Sequence, residues 1–172
     1  MPTRVAVALG SNLDDRKAHL EFARARLVGL LDRFRMSSMY ETAPVGVPSS
    51  QPFYLNAAAT GETACSPRQL LDAFLAIERE RGRERPFIGA PRTLDLDLVL
   101  FGDQVLDEPG LAIPHPRFRD RRFVLEPLAE IAPDMVDPIT GETIGELFRR
   151  QVERAQASSA NSATPRFLVE DP

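Results

Sequence analysis

Pro91-Arg92-Thr93-Leu94-Asp95-Leu96-Asp97-Leu98-Val99-Leu100-Phe101 is the stretch that most narrows what this chain can fold into. From Leu94 onward, apolar and polar residues alternate with a period of two, which is the pattern of a half-buried strand. Leu94, Leu96, Leu98 and Leu100 would point to one face. Asp95 and Asp97 would point to the other, with side chains roughly 6–7 Å apart at a strand's rise per residue. Val99 and Phe101 follow on that second face, so the strand would be buried on both sides at its far end. Two carboxylates close together in partly desolvated surroundings repel each other unless something positive holds them charged. A hard divalent cation, which takes oxygen ligands, could do this, and so could Arg92. A bare D-x-D is short, and two aspartates can simply decorate a solvated face. The flanking Pro-Arg-Thr-Leu and the apolar run behind them weigh against that reading.

The rest of the chain sets bounds on this strand's surroundings. At 172 residues it suits one domain with a sizeable core. Its 43% hydrophobic and 27% charged residues are those of a soluble globular protein. A net charge of −4 argues against a general nucleic-acid binder, which would carry a basic excess. The basic residues are arginines except for Lys17, a bias assigned to codon usage. The single cysteine, Cys65, excludes a disulfide within the chain and a cysteine zinc site, and it suits a reducing cytosol. The apolar run near Met1 is too short for a signal peptide or a membrane span.

Taken in order, Val5 to Leu9 predicts a buried strand that stops at a turn, Gly10-Ser11-Asn12. That turn lacks the spacing of a P-loop or a dinucleotide fingerprint. A helix is expected from about Asp14, with Leu20, Ala23, Leu27, Leu30, Leu31 and Phe34 as its buried stripe. His19 in that helix reads as a plain surface histidine. Arg35 to Tyr40 and Phe53 to Thr60 read as strands, and the proline-rich stretch from Glu41 to Pro52 between them as a loop. Asn56 is the one strongly polar side chain in its strand and must find a hydrogen bond, either to nearby backbone or to a ligand. Ser66-Pro67-Arg68-Gln69 opens a helix with a capping box, and Gly82 ends it. Arg79, Arg81, Arg83, Arg85 and Arg92 then crowd into fourteen residues that run directly into the two aspartates. Guanidinium forks beside metal-binding carboxylates are what a polyphosphate needs. Phe101-Gly102-Asp103-Gln104 reads as a two-residue hairpin turn. His115 lies in a proline-bracketed loop with several arginines and suits a phosphate donor. Phe123 to Ile131 is expected to be helical, and Thr143 caps a last short helix. Residues 1–150 read as the domain and 151–172 as a flexible C-terminal tail.

These segments resemble the hydroxymethyldihydropterin pyrophosphokinases of folate biosynthesis. The matching features are Leu9-Gly10-Ser11-Asn12, Glu41 to Gly46, Gln51 to Ala57, Glu78, Gly82-Arg83, Gly89 to Asp97, Ile113-Pro114-His115 and Arg121 to Leu128, in the family's order. The resemblance implies an α+β, ferredoxin-like fold, an antiparallel-rich sheet with helices on both faces. It implies a cytoplasmic, monomeric, ATP-dependent diphosphotransferase that moves a pyrophosphoryl group from ATP to the hydroxymethyl oxygen of the pterin and releases AMP. No nucleic acid or membrane is involved. Carried over by position, Asp95 and Asp97 hold two Mg²⁺ ions. Arg83 and Arg92 act on the moving phosphates. Glu78, Arg85, Leu98, His115 and Arg121 bind ATP. Thr42, Val45, Tyr54, Asn56 and Phe123 form the pterin pocket. Well-studied bacterial members have a tryptophan just before G-P-R. This chain has no tryptophan and reads Ile88-Gly89-Ala90-Pro91, so Phe87 or Ile88 is expected to take over that contact. Leu75, Gly110, Ala112 and Pro116 stand where some members have polar or aromatic groups on the adenine side.

Two other classes compete with this reading. A nucleotide-sensing ferredoxin-like module would need neither the adjacent carboxylates nor the arginine cluster. A metal-dependent phosphohydrolase would use both, but it would need no pterin-shaped pocket. Product analysis separates all three.

Overall fold

A computed structural model describes residues 1–43, 53–82 and 93–162, with the side chains of 160–162 left aside. Strand β1 (Thr3–Ser11) is followed by helix α1 (Arg16–Leu30), then β2 (Asp32–Met36) and β3 (Tyr40–Thr42). Strand β4 (Tyr54–Thr63), helix α2 (Pro67–Glu80) and strand β5 (Asp95–Phe101) come next. The described chain closes with a small ribbon of β6 (Leu106–Glu108) and β7 (Leu111–Ile113), a 3-10 turn at Phe118–Asp120, α3 (Arg122–Ile131) and α4 (Ile144–Ser162).

The main sheet runs β2-β4-β1-β5, with β3 extending the β2 edge along β4, and every neighbouring pair is antiparallel. This is the ferredoxin-like order that two β-α-β units produce when each helix returns its strand to the same sheet. Alternation along the strands gives the sheet two apolar faces. On one face Val5, Val7, Leu9, Ala57, Ala59, Leu94, Leu96 and Leu98 meet Leu20, Ala23 and Leu27 of α1 and Leu70, Phe74 and Ile77 of α2. On the other face Ala6, Ala8, Ala58, Val99 and Leu100 meet Val124, Leu125, Leu128 and Ile131 of α3 and Ile144 and Leu147 of α4. Three alanines under α3 keep that face low, so the helix can lie close to the strands.

Several expectations from the sequence need correcting. In β5 the register steps from Val7↔Leu98 to Ala6↔Leu100, so Val99 is an extra residue in a bulge. The bulge reverses the alternation behind it. Leu100 joins the α3 face and Phe101 joins the α1/α2 core. Gly10 and Ser11 are not a turn; they are the last pairs of β1, opposite Asn56 and Leu55. Helix α1 begins only at Arg16, capped by the Asp15 side chain, which accepts from the Ala18 N–H at 3.1 Å. It ends at Leu30, which is exposed, and Phe34 belongs to β2 instead. The strand expected over 35–40 is two short ones, β2 and β3. Gly102 does turn the chain, but β5 and β6 do not pair, and the hairpin is β6–β7. α4 runs on through Ser162, so the boundary expected at 150 falls inside a helix. α2 has the capping box read from its sequence.

Candidate functional site

The α3-facing side of the sheet brings several of the expected site residues together at one end, where the apolar layer gives out. Asp95 and Asp97 alternate with buried Leu96 and share this face, both half-buried. Their neighbours on β1 are Gly10 and Ala8. Gly10 is paired on its other side with Asn56, and Asn56 with Tyr40 of β3. One row thus crosses four strands as Asp95, Gly10, Asn56, Tyr40. Asp95 and Asn56 stand two strand spacings apart, roughly 10 Å. Between them Gly10 presents no side chain.

That gap is built, not incidental. A Cβ added to Gly10 would meet Asn56 Oδ1 at 3.2 Å, so the Asn56 carboxamide leans over the glycine. The Asn56 amide nitrogen donates to Thr42 Oγ1 at 2.6 Å, and Thr42 pairs with Tyr54 across β3 and β4. Three of the expected pterin residues, Thr42, Tyr54 and Asn56, therefore converge at one spot. Phe123 stands in the first turn of α3, half-buried against the same layer, with the Arg121 guanidinium 5.5 Å from its ring centre. Tyr40, in the same row, is turned to another task. Its hydroxyl donates to Glu130 of α3 at 2.7 Å, and the Ser38 N–H donates to the same carboxylate at 2.8 Å. Bonding to that carboxylate, with burial, pushes the Tyr40 hydroxyl up to about 12. It is a fixed strut between β3 and α3.

His115 closes the carboxylate end. Its backbone N–H donates to Val99 O of β5 at 2.9 Å, which holds the loop after β7 against that strand. The Arg117 N–H donates to His115 Nδ1 at 3.1 Å, so the ring proton of the neutral imidazole sits on Nε2 and can be donated. Burial lowers the basicity of His115, as does Arg121, while Asp95 acts in the opposite direction. Asp95, His115 and Arg121 thus act on one another within one cluster. Arg121 sits at the start of α3, where its carbonyl accepts from the Val124 and Leu125 N–H groups.

Other expected residues fall elsewhere. Leu98 is in the α1/α2 core, on the opposite face from the aspartates, so its side chain cannot line a nucleotide site on their side. Glu78 is 2% exposed and belongs to α2, also on the other face. Val45, Arg83, Arg85, Phe87, Ile88 and Arg92 lie outside the described residues.

The donor chemistry here fits magnesium. Asp95 and Asp97 offer hard carboxylate oxygens from one face of β5. Two protein carboxylates, with the remaining positions left to phosphate and water, is the usual mode for this ion.

A family model described as 7,8-dihydro-6-hydroxymethylpterin-pyrophosphokinase (HPPK) matches residues 6–133. The chain belongs to this family. It is 45% identical over 146 residues to the 2-amino-4-hydroxy-6-hydroxymethyldihydropteridine pyrophosphokinase of Synechocystis sp., covering 84% of this chain and 74% of that one. To the enzyme of the same name from Pseudomonas aeruginosa it is 44% identical over 137 residues, 78% of this chain and 84% of the relative. The fold matches the crystal structure of Plasmodium falciparum HPPK-DHPS with a TM-score of 0.73 at 15% identity, over 92% of this chain and 46% of that longer one. In this HPPK, every site residue from Gly10 to Phe123 lies inside the family match. Sequence reasoning missed the role of Gly10, because a glycine after an apolar run reads as a turn. It missed the Tyr40 strut because nothing local pairs Tyr40 with Glu130.

No helix among the described residues is long and apolar enough to cross a membrane.

Proposed function

We infer that this HPPK carries out pyrophosphoryl transfer along the trough above Gly10, with the pterin at the Asn56 end and the ATP phosphates at the Asp95 end. The observation behind this reading is the row itself. A hydrogen-bonded Asn–Thr pair and a carboxylate pair share one sheet face, separated by a residue with no side chain.

Asn56 reads the pterin's amide-like edge, with its carboxamide oriented by Thr42. Tyr54 and Phe123 supply flat surfaces on which a fused aromatic ring can stack, and the family resemblance adds Val45 to the pterin-binding set. Asp95 and Asp97 would hold two magnesium ions, whose charge would offset that of the triphosphate. His115, through Nε2–H, and Arg121 donate to phosphate oxygens at the same end, and the family resemblance adds Arg85 to the ATP-binding set. The pterin hydroxyl oxygen attacks the β-phosphorus in line. The new O–P bond forms as the bond to the α,β-bridging oxygen breaks. AMP leaves with that oxygen, and the hydroxyl proton is released. Arg83 and Arg92 neutralise charge on the moving group. Positioning and charge compensation supply the catalysis, as in phosphoryl transfer generally.

The test is chromatography of nucleotides after mixing the protein with ATP, Mg²⁺ and hydroxymethyldihydropterin. AMP that forms only when the pterin is present supports the reading. ADP, free phosphate or pterin-independent loss of ATP would replace it with a hydrolase.

A further inference from the structure

We propose that Arg119 is a positioning residue for the phosphate end of the trough: its pairing with buried Asp137 fixes the short turn that carries His115 at one end and Arg121 at the other. The proposal rests on the transfer reading above.

Arg117, Arg119, Arg121 and Arg122 stand close together in the sequence, beside His115. Arg119 is engaged away from the phosphate cluster. Its Nε donates to Asp137 Oδ2 at 2.5 Å and its Nη2 donates to Asp137 Oδ1 at 2.8 Å. This two-pronged fork is the strongest form of an arginine–carboxylate pair, and it fixes direction as well as distance. The guanidinium also lies over the Phe118 ring, 4.7 Å from its centre, and Phe118 is fully buried in the core under α3 and α4. The receiving end is rigid. Asp137 is fully buried. Its Oδ1 also accepts from the Ile139 N–H at 3.1 Å and its Oδ2 from the Thr140 hydroxyl at 2.8 Å, so the two oxygens receive four bonds. The Asp137 N–H donates to Glu142 O and the Gly141 N–H to Asp137 O, both at 2.8 Å, which closes the loop between α3 and α4. Burial pushes the Asp137 carboxyl up, but the bonds from Arg119, Thr140 and Ile139 outweigh it and hold the group below the usual aspartate value.

What this pair holds is the 3-10 turn at Phe118–Asp120. The Phe118 N–H donates to His115 O at 3.4 Å, the Asp120 N–H to Arg117 O at 3.2 Å and the Arg121 N–H to Phe118 O at 3.2 Å. The bonds of the turn therefore link His115 to Arg121, with Arg119 inside it. One end is tied to β5 through the His115 backbone. The other opens α3, where Arg121 gives the helix no side-chain cap among the described residues. The turn and its Arg119 tie thus set how the chain enters α3 and where Arg121 stands relative to His115. A buried ion pair adds little stability over apolar side chains of the same volume. What it adds here is orientation.

Calorimetric titration with ATP and Mg²⁺, beside pterin-dependent AMP formation, tests this. Arg119→Met combined with Asp137→Asn removes the ion pair without leaving a charge buried, and the asparagine Oδ1 can still accept within its own turn. This double variant should melt within a few degrees of wild type. It should bind ATP about tenfold more weakly and show the same rise in ATP KM, with kcat and the pterin KM within about twofold of wild type. Arg119→Lys keeps the charge but loses the fork, so its ATP affinity should fall between the two. Should the double variant not fold, Arg119→Lys decides alone. Wild-type ATP affinity in whichever of these variants folds, or an equal rise in the ATP and pterin KM, would overturn the proposal. A wild-type protein that binds ATP but makes no pterin-dependent AMP would overturn the transfer reading instead, and the ATP titrations would still decide the role of Arg119. A wild-type protein that binds no ATP would overturn both.

Discussion

The two faces of the sheet are built from the same strands and end differently. On the α1/α2 face, apolar side chains run from Val5 to Leu9 and from Leu94 to Leu98 without interruption, and two helices cover them. On the α3 face, the layer of Ala6, Ala8, Ala58 and Val99 gives way within one residue pair to Asp97, Asp95, Gly10 and Asn56. One face contributes stability, and the other gives up part of its burial to hold polar groups over a trough. The contrast teaches that the stretch from Leu94 to Leu98 divides these tasks by alternation alone: Leu94, Leu96 and Leu98 inward, Asp95 and Asp97 outward. The sharpest way to break the comparison is at Asp97. Asp97→Ala should lower kcat/KM for AMP formation by on the order of 10³-fold or more, while the unfolding temperature moves only a few degrees. Near-normal turnover at ordinary Mg²⁺ would mean that the carboxylate pair does not hold the metal.

The mirror-image experiment is on the other face. Phe74 is fully buried in the α1/α2 core. Phe74→Ala should cost about 3–5 kcal/mol of folding stability, read from the urea midpoint at an unchanged slope. The fraction that stays folded should turn over substrate at close to the wild-type rate. A specific loss of turnover in fully folded Phe74→Ala protein would show that the faces are not as separate as their packing suggests.

Much of this division is legible in the sequence, because it rests on period-two alternation and on local cap chemistry. The α2 capping box at Ser66 and Gln69 and the carboxylate pair of β5 need only neighbours along the chain to be recognised. What escapes depends on register across strands. That the Leu98 side chain belongs to the α1/α2 core follows only from its pairing with Val7. The Val99 bulge cannot be inferred from an apolar run in which every residue is buried on one face or the other. Gly10 reads as a turn because its value lies in what stands beside it, Asp95 and Asn56, both more than forty residues away. His19 reads as exposed, but it is buried, because its partner, Arg81, is far along the chain at the end of another helix.

Gly10→Ala sharpens the comparison on the polar side. The substitution is conformationally allowed in a strand, so the backbone should not resist it. Its Cβ, however, would stand 3.2 Å from Asn56 Oδ1, and the carboxamide would have to move by a few tenths of an ångström. The pterin KM should then rise about fivefold, with kcat and thermal stability little altered. An unchanged KM would mean that the Asn56 carboxamide is not held against the glycine for the pterin's sake. The same substitution at Gly29, where a Cβ meets nothing, is the control.

The smallest effect expected tests whether the polar end is one electrostatic unit. Burial disfavours the imidazolium of His115, as do Arg121 and Arg117, and Asp95 favours it. The folded protein therefore takes up this proton at a lower pH than the unfolded chain does, near 6.5 for an unperturbed histidine. Stability from the neutral ring is fully present above about pH 6.5 and is lost as pH falls through the folded value. In ¹H–¹³C spectra, Asp95→Asn should lower the His115 midpoint further by removing an acidic influence on the ring. Arg121→Met should raise it by removing the strongest basic one. If neither substitution moves the His115 midpoint, the three groups do not share a site, and the phosphate end of the trough would have to be rebuilt around other residues.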